Sequence, residues 1–296
     1  MRFAVYDVFT DTPFAGNPLA VVFDADALGD REMQTIAREF NLSETVFICK
    51  GARTRAATIR IFTPTRELPF AGHPTIGCAI ALAEAEYGRR EGRDMVFTLD
   101  AKIGPVRCRV KIASEGASFA EFTTPKLAVP VGPDPSVDAA ARAIGLSVNE
   151  LGFGAYVPCL FSVGVPFVMI PVGHKNALAR ARPAPEPHSM TLGATELFVY
   201  TRAEHAAPYA FRARMFAPEI GITEDPATGG AAAAFAGVVA RFEGLRDGWH
   251  TVPILQGVEM GRPSLIGLDV QIEGAALAGA RISGQAVKVS EGVLYL

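Results

Sequence analysis

The sequence predicts an α/β (α+β) protein of two pseudo-symmetric lobes, built by internal duplication, each a curved mixed β-sheet around a central apolar helix. Three observations predict it. Four stretches of the first half recur in the same order in the second, at a nearly constant separation of about 150 residues. Gly16-Asn17-Pro18-Leu19-Ala20-Val21-Val22 returns as Gly164-Val165-Pro166-Phe167-Val168-Met169-Ile170, and Val46-Phe47-Ile48 as Leu197-Phe198-Val199. Arg60-Ile61-Phe62-Thr63-Pro64 returns as Arg214-Met215-Phe216-Ala217-Pro218, and His73-Pro74-Thr75-Ile76-Gly77 as Asp225-Pro226-Ala227-Thr228-Gly229. Short Val- and Phe-rich runs between turn residues greatly outnumber helical patterns. Finally, Ala231–Ala240 has almost no polar face, the pattern of a helix enclosed on all sides.

In chain order, Phe3–Phe9 and Leu19–Phe23 read as a hairpin around a turn-rich loop. Met33, Ile36, Ala37 and Phe40 recur at helical spacing over Asp30–Phe40, and Asn41 suits the helix end. Leu42–Cys49 is a polar pair entering an apolar strand, and Thr58–Phe62 is another strand. The first apolar helix runs from Pro74 to about Tyr87, and strands at Met95–Leu99 and Val106–Ile112 complete the half. Pro130, Pro133 and Pro135 mark a linker, so the first lobe spans 1–125 and the second 126–285, with the strand 286–296 free to pair in either. Ser136 is a candidate N-cap for a short helix to Gly145.

Composition narrows the function. The chain has 296 residues, 49% of them hydrophobic, enough for full cores. Its 28 basic and 31 acidic residues give a net charge of −3 with no basic cluster, which argues against nucleic acid. The four cysteines, Cys49, Cys78, Cys108 and Cys159, form no C-x-x-C pair, and the five histidines show no metal-ligand spacing. No apolar run is long enough to span a bilayer, and the N-terminus reads as a strand rather than a signal peptide. A cytoplasmic protein without membrane or metal is expected.

The two helix starts are the candidate site. Each presents N–H groups without intrahelical partners and a partial positive charge, a setting for a small carboxylate, and both are expected at the cleft between lobes. The halves differ where chemistry is expected: His73 in one, Asp225 in the other, and Glu44 aligned with Thr195. Each has a plainer reading alone, Glu44 as a strand-end carboxylate, His73 as a loop residue, Asp225 as an N-cap for Thr228 or its neighbour. Their expected convergence favours general acid/base chemistry, with a partly desolvated Glu44 as the group whose raised pKa suits it to accept and return a proton. No dinucleotide fingerprint, nucleophile elbow or P-loop is present, and Cys78 aligns with Gly230, so no opposed thiol pair exists.

Asn41-Leu42-Ser43-Glu44-Thr45-Val46-Phe47, Phe70-Ala71-Gly72-His73-Pro74-Thr75 and Glu224-Asp225-Pro226-Ala227-Thr228-Gly229 resemble the signature stretches of the phenazine-biosynthesis PhzF family, as do Asp7-Val8-Phe9 and Phe14-Ala15-Gly16-Asn17-Pro18 near the N-terminus. The resemblance implies a diaminopimelate-epimerase-like fold, a homodimer, and isomerisation without a cofactor. In the family's best understood activity, trans-2,3-dihydro-3-hydroxyanthranilate is isomerised towards a ketone. The glutamate matching Glu44 would move the proton, the residues matching His73 and Asp225 would hold substrate groups, and backbone at Gly72, Gly229 and Gly230 would bind the carboxylate. The family pattern usually ends in Gly-Ser, where this chain has Gly229-Gly230. The alternatives are an amino- or hydroxy-acid racemase with carboxylates in place of thiols, and a metabolite-binding protein without turnover.

Overall fold

The computed structural model describes residues 1–50, 56–89 and 94–296, with the side chain of Lys50 left aside. Its elements, in order, are β1 (Arg2–Val8), β2 (Asn17–Val22), α1 (Asp30–Phe40), β3 (Glu44–Lys50), β4 (Ala56–Phe62), β5 (Glu67–Leu68), α2 (Gly72–Tyr87), β6 (Asp94–Ala101), β7 (Gly104–Lys111) and β8 (Ser118–Thr123). They continue as β9 (Val129–Pro130), α3 (Val137–Ala143), β10 (Cys159–Ser162), β11 (Pro166–Pro171), α4 (Lys175–Arg180), α5 (Ser189–Leu192), β12 (Glu196–Arg202), β13 (Phe211–Ala217), β14 (Ile222–Asp225) and α6 (Gly229–Phe242). The last are β15 (Gly248–Thr251), β16 (Ile254–Gln256), β17 (Ser264–Glu273) and β18 (Ala276–Val293). The chain divides into two compact units, Met1–Pro125 with Ser283–Leu296, and Lys126–Ile282. The N-cap and the helix end read from sequence are both present: the Ser136 hydroxyl accepts from the Ala139 N–H at 3.2 Å, and Asn41 ends α1 in the left-handed region with φ 50°.

In the first unit β1 pairs antiparallel with β2, β2 parallel with β3, β3 antiparallel with β4, β4 parallel with β6, and β6 antiparallel with β7. β7 pairs with β8, β8 with β18, and β18 returns to β1, so among the described residues the ladder closes on itself. α2 packs against β1, β2, β3, β6, β7 and β8, inside that ring. Its first ten residues are all buried, which is why no polar stripe is legible in it. Gly77 is where the helix meets the sheet: a Cβ there would stand 2.5 Å from Leu19 and 2.8 Å from Val8.

The second unit repeats the pairing order. β10 is antiparallel to β11, β11 parallel to β12, β12 antiparallel to β13, β13 parallel to β16, and β16 antiparallel to β17. α6 packs against β9, β10, β11 and β17. Gly237 takes the close-approach role, since a Cβ would stand 2.3 Å from the Phe161 ring.

Register refines the repeat by one residue. Phe47 stands opposite Arg60 and Val199 opposite Arg214, while Leu19 stands opposite Glu44 and Phe167 opposite Glu196. The counterpart of Glu44 is therefore Glu196, not Thr195, and the hydroxyl–acid pair Ser43-Glu44 recurs as Thr195-Glu196. The apolar triplets tolerate either alignment; only the ladder decides. Among the described residues no helix is long and apolar enough to cross a membrane.

Candidate functional site

Glu44 opens β3, where the chain leaves α1 through Asn41 and enters the sheet beside Leu19. Its side chain is 15% exposed, and Oε2 lies 3.4 Å from Nε2 of His73. His73 is the second residue of α2, not a residue of the loop before it. Pro74 can follow inside the first turn because the N–H it lacks has no partner there. Thr75 N–H is bonded back to the Ala71 carbonyl at 3.3 Å, which leaves the Gly72 and His73 amides as the helix-end donors.

Asn17, fully buried at the start of β2, brings its side-chain nitrogen within 3.4 Å of His73 Nδ1. Burial holds the imidazole far below its usual value of 6.5, at about 3. The ring is neutral at physiological pH. With Nδ1 accepting from the Asn17 amide, the ring proton sits on Nε2 and faces Glu44, a tautomer assigned from these neighbours. A carboxylate at a strand start beside a neutral imidazole is a candidate for proton transfer.

This burial has a consequence for acid stability. Between pH about 3 and 6.5 the unfolded chain binds a proton at this residue that the folded chain refuses. The contribution is present above 6.5 and is lost as pH falls, by up to about 1.4 kcal/mol per unit. His73→Gln is expected to flatten the dependence of the urea midpoint on pH in that window; parallel slopes for variant and wild type would contradict it.

In the second unit Asp225 ends β14, buried, four residues ahead of α6. It is not the N-cap read from sequence. Its carboxylate accepts from the Thr228 hydroxyl at 2.6 Å, while the Thr228 N–H donates to Gln256 Oε1 at 3.2 Å. The Gln256 amide also donates to the Asp225 carbonyl at 2.8 Å and to the Thr228 hydroxyl at 3.1 Å. One fully buried side chain thus holds residues 225–228 in place, which delays the start of α6 relative to α2. The first bond back into α6 is Ala232 N–H to the Thr228 carbonyl, so the amides of Gly229, Gly230 and Ala231 remain as helix-end donors.

Gln256 is carried by a tight turn. Gly257 has φ 76°, and a Cβ there would stand 2.4 Å from the Arg262 carbonyl oxygen and 2.5 Å from that of Pro226. Gly257→Ala is expected to cost roughly 1–3 kcal/mol and to loosen the Asp225 segment, measured by chemical denaturation and amide exchange. A loss within 0.5 kcal/mol, of order of an ordinary surface change, would show that the backbone adapts.

Sequence reasoning assigned no role to Asn17 or Gln256. Asn17 lies in a stretch already marked by the repeat, and its counterpart Val165 offered a difference to question. Gln256 has no local signal, because its partners are 28 and 31 residues away. Among the described residues no group of three His, Cys, Asp or Glu side chains forms a metal site.

Comparison with known proteins follows from this geometry. A family model described as "Phenazine biosynthesis-like protein" (PhzC-PhzF) matches residues 6–292. An uncharacterized isomerase of Mesorhizobium japonicum is 45% identical over 302 aligned positions, covering 100% of this chain and 99% of the relative. The trans-2,3-dihydro-3-hydroxyanthranilate isomerase of Pseudomonas aeruginosa is 35% identical, again covering 100% and 99%. The crystal structure of a Bacillus anthracis phenazine biosynthesis protein of the PhzF family superposes with a TM-score of 0.88 at 28% identity, covering 100% of this chain and 99% of that one.

Proposed function

The chain belongs to the PhzC-PhzF family of phenazine biosynthesis-like proteins, and on that premise we propose that it is an isomerase that relocates a proton on a small carboxylate metabolite by general acid/base catalysis, with no cofactor. Glu44 acts first as base, taking a proton from a carbon activated by the substrate's unsaturation. It then acts as acid, returning that proton to a different carbon, so the enzyme ends in its starting state. His73 presents its Nε2 proton beside the carboxylate and stays neutral through the cycle. In the second unit Asp225 is the residue suited to hold a polar group and the Gly229 and Gly230 amides are the donors suited to a carboxylate; the Gly72 amide is the corresponding helix-end donor of the first unit. The names of the relatives support the reaction class.

The observation that carries the reading is the 3.4 Å approach of the Glu44 carboxylate to a buried, neutral imidazole. The test is proton NMR of trans-2,3-dihydro-3-hydroxyanthranilate in deuterated water with the wild-type protein. Enzyme-dependent deuterium incorporation at a ring carbon is the expected result. Binding of that compound without any incorporation would set isomerisation of it aside.

Gly230 is where this chain departs from the family's usual Gly-Ser. A Cβ at 230 would lie 3.5 Å from the Phe167 ring, an ordinary contact. Gly230→Ser is therefore expected to fold normally and to gain a few tenths of a kcal/mol from helix propensity. A loss above about 1 kcal/mol would mean that the site requires glycine here.

A further inference from the structure

Gln256 lies where two strands end on one edge of β13. β12 covers the other edge from Phe211 to Phe216. On the opposite edge β16 runs parallel and stops with Gln256 beside Ala213, and β14 runs antiparallel and stops with Asp225 beside Met215. The two strand ends are thus two residues apart along β13, which brings the fully buried Gln256 side chain to the segment 225–228. The first repeat has no such arrangement: Ile76 stands where the second has Thr228, and His73, in the place of Asp225, meets Asn17.

The hydrogen bonds of Gln256 run in one direction only. The Thr228 backbone N–H can only donate, so the atom it meets at 3.2 Å is the Gln256 side-chain oxygen. The Asp225 carbonyl can only accept, so the atom it meets at 2.8 Å is the Gln256 nitrogen. Two backbone groups therefore fix the orientation of the amide. Its nitrogen also donates to the Thr228 hydroxyl oxygen at 3.1 Å. That oxygen is then an acceptor, and its single hydrogen goes to Asp225 Oδ2, 2.6 Å away. The length falls in the range of a hydroxyl bonded to a carboxylate ion, about 2.5–2.7 Å. A proton on Oδ2 would collide with that of the hydroxyl, which Gln256 keeps pointing at Asp225.

We propose that Gln256 and Thr228 are positioning residues, a one-way hydrogen-bond relay that keeps Asp225 an ionised acceptor. This rests on the reading of Asp225 as a residue that holds a polar group of the substrate, and deepens it. An ionised carboxylate only accepts, so the group it holds is a hydrogen-bond donor.

The test is a carbon-13 NMR titration of the Asp225 carboxyl in protein labelled at aspartate, the signal assigned by its loss in Asp225→Asn and folding confirmed by circular dichroism. Thr228→Val keeps the shape and removes the hydroxyl, and is expected to move the titration up by roughly one pH unit. Thr228→Ser, which keeps the hydroxyl, is expected to titrate as the wild type does. Gln256→Met leaves the hydroxyl free to turn and is expected to shift the titration in the same direction by less. A folded Thr228→Val protein with the wild-type titration overturns the proposal, as does a Thr228→Ser protein that shifts as far as Thr228→Val. If Thr228→Val does not fold, Thr228→Ala gives the same reading. The titration is read without substrate: absent deuterium exchange with the shift intact counts against the isomerase reading alone, and intact exchange with an unmoved titration counts against this proposal alone.

Discussion

Glu44→Gln is expected to lower solvent-deuterium incorporation into substrate by roughly a hundred- to ten-thousand-fold, the span that removal of a general base produces. The substitution is nearly isosteric and leaves a polar atom facing His73, so folding and substrate binding should persist. That separation makes the experiment informative. A structural role for Glu44 would lower the denaturation midpoint together with the rate, whereas a proton-transfer role lowers the rate alone. Glu44→Asp keeps the acid but draws it back by one methylene, away from the 3.4 Å approach to His73, and should retain an intermediate rate. Exchange in Glu44→Gln at the wild-type rate would remove the residue from the reaction.

Arg214→Ala is expected to destabilise the protein by about 3–5 kcal/mol, the cost of leaving one partner of a buried ion pair alone. The guanidinium is 2% exposed and grips Glu224 through two bonds of 2.8 Å. Its remaining nitrogen donates to the carbonyls of Leu178, Ala179 and Ala181 at 3.1, 3.1 and 2.9 Å, closing the end of α4. One side chain therefore satisfies the terminal acceptors of a helix and fixes the residue preceding Asp225. Equilibrium urea unfolding measures the loss. The double variant Arg214→Met with Glu224→Leu, which removes both charges, should recover part of it. A single-variant loss below 1 kcal/mol, typical of exposed pairs, would mean that the pair is solvated.

Glu44, His73 and Asp225 could be singled out as candidates because each lies in a short motif, and the duplication was legible because apolar strands and helix starts recur in order. What was not legible depends on partners distant in sequence. Val46-Phe47-Ile48 matches Leu197-Phe198-Val199 as well as it matches the triplet one residue later, so Glu196 emerged only from the ladder. The two helices also begin at different points of their matching stretches. Pro74 is accommodated within a turn of α2, while the equivalent Pro226 lies in the segment that Gln256 ties down ahead of α6. Local residue types are alike in both places; the long-range tie makes the difference.

The last strand sets a limit on how this protein can be taken apart. Residues 276–282 of β18 belong to the second unit and 283–293 to the first, where they pair along the whole length of β1. A cut at Pro125, although it falls at the proline-rich linker, does not release the first repeat as a complete domain. The fragment would lack its closing strand and expose β1 as an unpaired edge, a template for self-association. Separating the repeats for study requires the 283–296 segment to be supplied to the first, fused or as a peptide. The ancestral duplication is thus no longer a boundary at which the chain can be divided.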